Sequence, residues 1–402
     1  MGTTVVVGGG ILGAAVARRL LQQRPDERVE VWEKERALAQ HQAGRNSGVV
    51  HAGLYYEPGS LKATLCRRGV GLLRTLCAEH GLPYREIGKV LVALDDAEVV
   101  RLSGIRDRAA ANGVPGVRLV DAAELRELEP HVRGVAGLHS PTTAICDYAA
   151  VTRLLAQQVE AAGGVVRRGL AATQVRPDRV LGRTLAGDDV EVPADRVVLC
   201  AGLHGDRLAA TAGGSSSPRI VPFRGEYLLL RPERRDLVRG LVYPVPDPRY
   251  PFLGVHLTPR VDGEVLVGPN AVLALAREGY DWGSLSPRDL AEVARYPGFR
   301  RFARQHWRTG VREVVGSLST RAYVRAARRY VPELRVADVA PGPAGVRAQA
   351  LDDDGGLVDD FRIDRLGDRG QVVAVRNAPS PGATSALAIA EHVVALAISD
   401  SA

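Results

Sequence analysis

The stretch "TTVVVGGGILGAAVARRLLQQRPDERVEVWEK", residues 3–34, leaves the chain little freedom in what it folds into. Val5, Val6 and Val7 form a continuous apolar run, as a parallel strand covered on both faces requires. Gly8, Gly10 and Gly13 follow as G-x-G-x-x-G. In that spacing the first glycine permits a tight turn, the second lets the backbone approach a pyrophosphate, and the third lets the helix pack close to the strand. Ile11 and Leu12 open the helix, whose free N–H groups and dipole favour an anion. A second strand ends at Glu33, followed by Lys34, and Glu33 lies twenty positions after Gly13. There a carboxylate accepts hydrogen bonds from ribose hydroxyls and disfavours a 2′-phosphate, hence NADP. The motif does not separate NAD from FAD, since both carry adenosine diphosphate.

The chain has 402 residues, more than one ordinary core, so two domains are expected. Its formal charge of +7 is spread in short clusters, with no basic stripe interleaved with aromatics. That argues against nucleic acid as a partner and is compatible with an anionic substrate or an anionic membrane surface. Lys34, Lys62 and Lys89 are the only lysines. Cys66, Cys77, Cys146 and Cys200 show no C-x-x-C spacing, so free thiols in a cytoplasmic protein are expected, with no metal site. The first strand begins almost at Met1, which predicts no leader, and no apolar run reaches the length of a spanning helix.

Two later segments repeat the strand–turn–helix pattern. "RVVLCAGLHGDRL" turns at Ala201 and Gly202, and "VVAVRNAPSPGATSALAIAEHVVALAI" turns through small residues into a helix. A nucleotide domain built from separated segments, interrupted by β-rich excursions, argues for FAD over NAD. The expected fold is α/β: a Rossmann-like domain from residues 1–80, 150–215 and 340–402, and an α+β substrate domain with an antiparallel sheet from 81–149 and 216–339. One segment stands out as polar and glycine-rich, "HQAGRNSGVVHAGLYYEPGSLKA" at 41–63. It follows the second strand, where wrapping a cofactor would use its hydrogen-bonding groups.

The stretches "GGGILG", "EKERALAQHQAGRNSGVVHAGLYYEPGSLKA", "ELRELEP", "PFRGEYLLL", "YPVPDPRYPFLGVHLTPRVDGEVLVGPNAVLALAREGY", "PAGVRAQA" and "NAPSPGATSALAI" run from end to end of the chain. With them the chain resembles the D-amino-acid-oxidase-type FAD-dependent oxidoreductases, and within these the L-2-hydroxyglutarate oxidase/dehydrogenase family. The resemblance implies FAD, touched by Gly8, Gly10, Ile11, Leu12, Gly13, Glu33 and Lys34, and noncovalent binding is expected because none of the four cysteines falls in an attachment motif. Gln42, Arg45, Asn46, Ser47 and Gly48 would follow along the cofactor, with Val175, Ala201, Gly202, Ser380, Gly382, Ala383 and Thr384 as further contacts. Two positions depart from the family: Arg45 stands where a histidine is common, and Gly382 where alanine is usual.

Oxidation of a 2-hydroxy acid requires a base, cations for carboxylates, and a dry pocket. His51 and His256 are both candidate bases. The resemblance places Arg347 on the substrate carboxylate, where a bidentate pair forms. Arg224 and Arg45 are candidate anchors for a second carboxylate, and Tyr56 and Tyr243 candidate hydroxyl donors. The implied reaction converts L-2-hydroxyglutarate, or a close 2-hydroxy dicarboxylate, to the 2-oxo acid. An amino-acid or amine oxidase of the same fold and a non-catalytic nucleotide-binding sensor are the alternatives. Oxygen and a quinone both stand as electron acceptors. A cytoplasmic location, with peripheral contact on the inner face of the membrane, is compatible with all of this.

Overall fold

A computed structural model of the chain describes residues 2–247 and 254–399. Positions 248–253 of the long stretch beginning "YPVPDP", and Met1 and 400–402 of the expected domain segments, lie outside the described residues.

The apolar run of Val5–Val7 becomes the strand Thr3–Val7, in the interior of a six-stranded sheet. Arg28–Glu33 and Arg196–Leu199 flank it, both parallel, with Val165–Arg168 beyond the first and Val372–Asn377 beyond the second. Only the edge strand Arg362–Leu366 is antiparallel. The sheet is covered on both faces, which explains the unbroken apolar character of Val5–Val7. On one face the helices Ile11–Gln23, Tyr148–Ala161 and Ala386–Ile398 share a core with Val6, Val198 and Val373. On the other, an antiparallel meander (Leu170–Arg176, Arg179–Thr184, Asp189–Pro193) packs against Val5, Val7, Trp32 and Val197. Each such aliphatic side chain contributes roughly 1.5–3 kcal/mol by full burial.

A second, nine-stranded sheet forms the other half. Its longest pair is Arg219–Leu230 against Val339–Leu351, antiparallel from Arg219↔Leu351 to Leu230↔Val339. That pairing corrects the expected boundary at 340: residues 340–351 belong to this sheet and leave the nucleotide domain to resume further along. The sheet is not wholly antiparallel, because Lys89–Ala93 runs parallel to Leu241–Pro244. Its other neighbour, Ala136–Ser140, is antiparallel.

The region 287–327 is helical, which the β-rich reading did not anticipate. Pro287–Arg295 starts with a proline at its first turn, where no N–H is needed, and Ser286 caps it by accepting the Asp289 N–H. Pro297–Leu318 also starts on a proline. Ser319 then ends that helix and caps the next, Thr320–Ala327.

Candidate active site

A cavity of about 1240 Å³ opens at the carboxyl ends of Thr3–Val7 and Arg196–Leu199 and reaches to the second sheet. Neighbours of Thr3–Val7 lead off in opposite directions there, which is the switch point where open α/β sheets bind ligands.

The glycines act as the spacing requires. Gly8 has φ +107°, and a Cβ there would lie 2.4 Å from the Cys200 carbonyl oxygen. A Cβ on Gly13 would lie 1.8 Å from the Gly8 carbonyl oxygen, whereas one on Gly10 would meet no protein atom within 4 Å. Gly13 therefore sits behind the turn, in helix packing, while Gly10 faces open space. Gly8, Gly10, Ile11, Leu12, Glu33 and Lys34 line the cavity. The Glu33 carboxylate accepts the N–H groups of Gly9 and Glu35, each at 2.9 Å. Lys34 pairs with Glu278 at 2.8 Å and also bonds Glu35 and His41. This ties the nucleotide side to the 274–286 loop. Burial opposes ionisation of Glu278, but hydrogen bonds from His204 and Lys34 outweigh it and hold the carboxyl at about 2.

Gln42, Arg45, Asn46, Ser47 and Gly48 line the next part of the wall, as do Ala201, Gly202, Ser380, Gly382, Ala383 and Thr384. Asn46 uses its amide on its own loop, donating to the carbonyls of Gln42 and Ala43 and accepting from the Gly48 N–H. Arg45 is exposed at the rim, bonded to the Gln40 carbonyl and stacked 4.0 Å over the Tyr280 ring. Val175 is not in the wall. It is fully buried beside Trp32 and Val197, and Leu170 to Thr173 line the cavity instead. The strand's register shifts between Ala172 and Gln174.

At the far end His51, Tyr56, Tyr243, His256 and Arg347 share the cavity. Arg347 lies on Val339–Leu351 and donates to the Asn270 carbonyl at 3.2 Å. A Cβ on Gly225 would come within 3.2 Å of its guanidinium, so glycine at 225 makes its room. Arg224 does not reach the cavity and is corrected as a site residue. Alternate residues of a strand face opposite sides, and Arg224 points away with Glu226, to which it pairs at 2.9 Å. Its guanidinium also donates to the Asp281 carbonyl and lies 4.4 Å over Trp282. Gly225 and Tyr227 of the same strand line the cavity.

Both imidazoles are held neutral. Burial first, then the charge of Lys89, lowers His51 to about 3, and burial lowers His256 to about 3 with Lys89 and Arg347 adding to it. His51 Nε2 sits 3.2 Å from Ser380 Oγ, and its backbone N–H donates to Thr384 Oγ1. The His256 ring stacks on Tyr243 at 3.9 Å, and its Nδ1 lies 2.9 Å from the Gly254 carbonyl. Tyr55, Lys62, Tyr148 and Tyr227 also line the cavity and were missed from sequence. Tyr55 and Lys62 lie in the polar segment 41–63, which was their local signal, and Tyr227 shares a strand face with Gly225. Burial pushes the thiols of Cys66 and Cys200 up to about 12, which leaves them unreactive.

The family model described as FAD dependent oxidoreductase (DAO) matches residues 3–396. The chain belongs to this family. It is 46% identical over 400 residues to L-2-hydroxyglutarate dehydrogenase, mitochondrial, of Caenorhabditis elegans, covering 98% of this chain and 92% of that one. With the human mitochondrial L-2-hydroxyglutarate dehydrogenase it shares 44%, over 96% of this chain and 86% of the relative. The Escherichia coli K12 L-2-hydroxyglutarate dehydrogenase is 43% identical, over 97% and 92%. Among solved structures, FAD-bound L-alpha-glycerophosphate oxidase from Mycoplasma pneumoniae superposes with a TM-score of 0.79 at 23% identity, covering 99% of this chain and 95% of that one.

As a member of this family the chain is FAD-dependent, and its cavity fits the group. The open space at Gly10, the N-terminus of Ile11–Gln23 and the Glu33 carboxylate are what an adenosine diphosphate requires. The two glycines should respond differently to one methyl group. Gly13→Ala must displace the Gly8 carbonyl, and we expect it to destabilise the apoprotein by about 3 kcal/mol. Gly10→Ala should leave the apoprotein's Tm unchanged yet weaken FAD binding at least about tenfold, because the methyl occupies ligand space. Thermal melts of apoprotein and flavin titrations measure both; equal Tm losses would refute the assignment.

Proposed function

We propose that the chain oxidises L-2-hydroxyglutarate to 2-oxoglutarate. The observation that carries this reading is the convergence, on one cavity wall, of Arg347 with two neutral imidazoles, His51 and His256. The near full-length identity to L-2-hydroxyglutarate dehydrogenases supports the choice of substrate. An amino-acid oxidase would bring a substrate ammonium toward Arg347, Lys62 and Lys89, and this electropositive end suits a dianion better.

When bound along Gly8, Gly10, Glu33 and the Gln42–Gly48 loop, FAD would supply the acceptor for the hydride of the carbinol carbon. Arg347 holds the adjacent carboxylate through a charge-assisted, two-pronged contact. One of the two imidazoles takes the hydroxyl proton; each is neutral at physiological pH and so able to accept it. Tyr56 and Tyr243 supply hydroxyl donors, and burial raises both phenols above their ordinary range, so they stay protonated. Anaerobic addition of L-2-hydroxyglutarate should bleach the flavin while amino acids leave it oxidised; the reverse would refute the assignment. Arg347→Ala should lower kcat/KM by about two to four orders of magnitude with FAD retained. Of His51→Asn and His256→Asn, the one that removes the base should lower kcat by about 10²–10⁴. If both keep kcat within tenfold, a histidine base is excluded.

The same flavoprotein reading extends to a lipid surface. Among the described residues, no helix is long and apolar enough to cross a membrane. The helix Pro297–Leu318 nevertheless exposes Trp307, Val311, Val314, Val315 and Leu318, between 37% and 70% open. Their spacing puts them on one helical face. Arg300, Arg301, Arg304, Arg308 and Arg312, all exposed, lie along and beside that face. A tryptophan-containing apolar stripe flanked by arginines is the signature of a helix lying in the plane of an anionic bilayer. Such docking favours a membrane quinone over oxygen as electron acceptor. The holoenzyme should float with vesicles containing phosphatidylglycerol but not with pure phosphatidylcholine. Trp307→Ser, Val311→Ser and Val315→Ser together should abolish flotation without changing turnover with a soluble dye. A wild-type dimer that dissociates in this variant would instead make the stripe a subunit interface.

A further inference from the structure

Lys89 is an expensive residue for its place in the fold. It opens the strand Lys89–Ala93 and is 2% exposed. Leu91, Leu138, Ile145 and Leu241 form the apolar cluster around that strand. Its ammonium lies 3.8 Å from the centre of the Tyr243 ring and 5.3 Å from that of Tyr55. Among the described residues its one hydrogen-bond contact is the Tyr55 hydroxyl, at 3.5 Å. Among the described residues no carboxylate pairs with it. Ring faces and one long contact offset only part of the desolvation of a buried cation. A methionine would fill the same space at no such cost.

The position of the charge indicates its use. His256 stacks 3.9 Å from the Tyr243 ring centre, and the ammonium lies 3.8 Å from it. Two groups at such distances cannot share one face of a ring, so Tyr243 is sandwiched between them. Tyr55, Tyr243, His256 and His51 all line the cavity. The field of Lys89 reaches that space, since it lowers the proton affinity of both His51 and His256. The other cations differ. Lys62 is already matched by Asp359, at 2.7 Å to its carboxylate and 2.8 Å to its carbonyl. Arg347 donates to the Asn270 carbonyl. Arg224 lies outside the cavity and Arg45 at its rim.

We propose that Lys89 is the built-in counter-charge for the second carboxylate of the substrate, acting from behind the Tyr55 and Tyr243 rings to select dianions over monoanions. This rests on the dicarboxylate reading above. Among the described residues the buried ammonium has no acid of its own because its acid arrives with the ligand.

The charge state makes the idea measurable. Burial lowers Lys89 to about 7, so its charge is lost as pH rises through neutrality. A dianion in the cavity raises that value again and draws a proton onto the amine. Binding should therefore take up a proton above pH 7 and weaken as pH rises. The groups facing the same space do not mimic this. His51 and His256 are neutral well below that range, and the phenols of Tyr55 and Tyr243 are shifted upward by burial. Lys62 and Arg347 are the remaining cations there.

The probe is glutarate, a dicarboxylate with no hydroxyl to oxidise, followed by perturbation of the flavin spectrum in the holoenzyme. Wild-type affinity should fall by about tenfold between pH 6 and 8.5. Lys89→Met should bind glutarate at least about tenfold more weakly at pH 6, with a flat pH profile. Its kcat/KM should fall far more for L-2-hydroxyglutarate than for 2-hydroxybutyrate. Should that variant not fold, calorimetry of wild-type holoenzyme in two buffers of different ionisation enthalpy still decides, because glutarate binding near pH 7.5 must take up a proton. Glutarate binding with no pH dependence and no proton uptake would overturn the role of Lys89 and leave the dicarboxylate reading standing. Equal losses for diacid and monoacid would make Lys89 structural. No glutarate binding to the wild type at any pH would overturn both.

Discussion

Everything in this molecule depends on how closely three backbone segments approach at the end of the strand Thr3–Val7. The Gly8 turn lies against the Cys200 carbonyl, and the helix Ile11–Gln23 lies against the Gly8 carbonyl, at distances that no Cβ fits. Those contacts fix the helix N-terminus at the switch point between Arg28–Glu33 and Arg196–Leu199. They also hold Glu33, whose carboxylate is bonded to the Gly9 N–H, across the same opening. The loop from Gln42 to His51 then runs along this edge. Close approach continues at its far side, where a Cβ on Gly345 would lie 2.3 Å from the Arg45 carbonyl oxygen. The second sheet is thereby brought against the first, and the cavity is the space these glycines leave.

Placement of the reactive end follows from strand periodicity. Arg219–Leu230 and Val339–Leu351 pair from end to end with one shift of register between Glu226 and Leu228, Phe223 opposite Arg347 and Gly225 opposite Gly345. With side chains alternating, one face of the first strand presents Gly225 and Tyr227 to the cavity, and the other buries Arg224 against Glu226. Arginines one register apart on neighbouring strands thus have unrelated duties. Arg347 lines the cavity, where the proposed reaction gives it the substrate carboxylate, and Arg224 closes an ion pair beneath Trp282.

This shows what a sequence discloses. The glycine turn was legible because its strand, glycines and carboxylate all fall within some thirty residues. His51, His256, Tyr56 and Tyr243 could be named because each sits in a long, unusual stretch, and Arg347 through the resemblance that "PAGVRAQA" shares in. Arg224 was misjudged although the sequence held the clue, a glutamate two residues on and therefore on the same face. Val175 came only from the resemblance, and the fold buries its side chain beside Trp32 and Val197. Lys89 could not have been found, since every group that makes it unusual comes from a distant segment and only folding brings them together. The stripe on Pro297–Leu318 is readable as a period, but a period alone does not say whether a face is covered.

The cavity's electrostatics then form one consistent arrangement. A proton acceptor must be neutral, and an anion-binding pocket must be positive. Here the same cations serve both needs. Burial lowers the proton affinity of His51 and His256, and Lys89 adds to it at both, with Lys62 adding at His51 and Arg347 at His256, so both imidazoles stay unprotonated while the field around them stays positive. Water would screen such fields, but burial keeps them strong over several ångströms. In the proposed reaction an arriving dianion reverses the balance: it offsets the cations and so raises the proton affinity of the imidazole assigned to accept the hydroxyl proton. Binding and basicity are in this way linked through the same charges. A monoanion would relieve less of the positive field, and so would both bind less well and leave its base weaker.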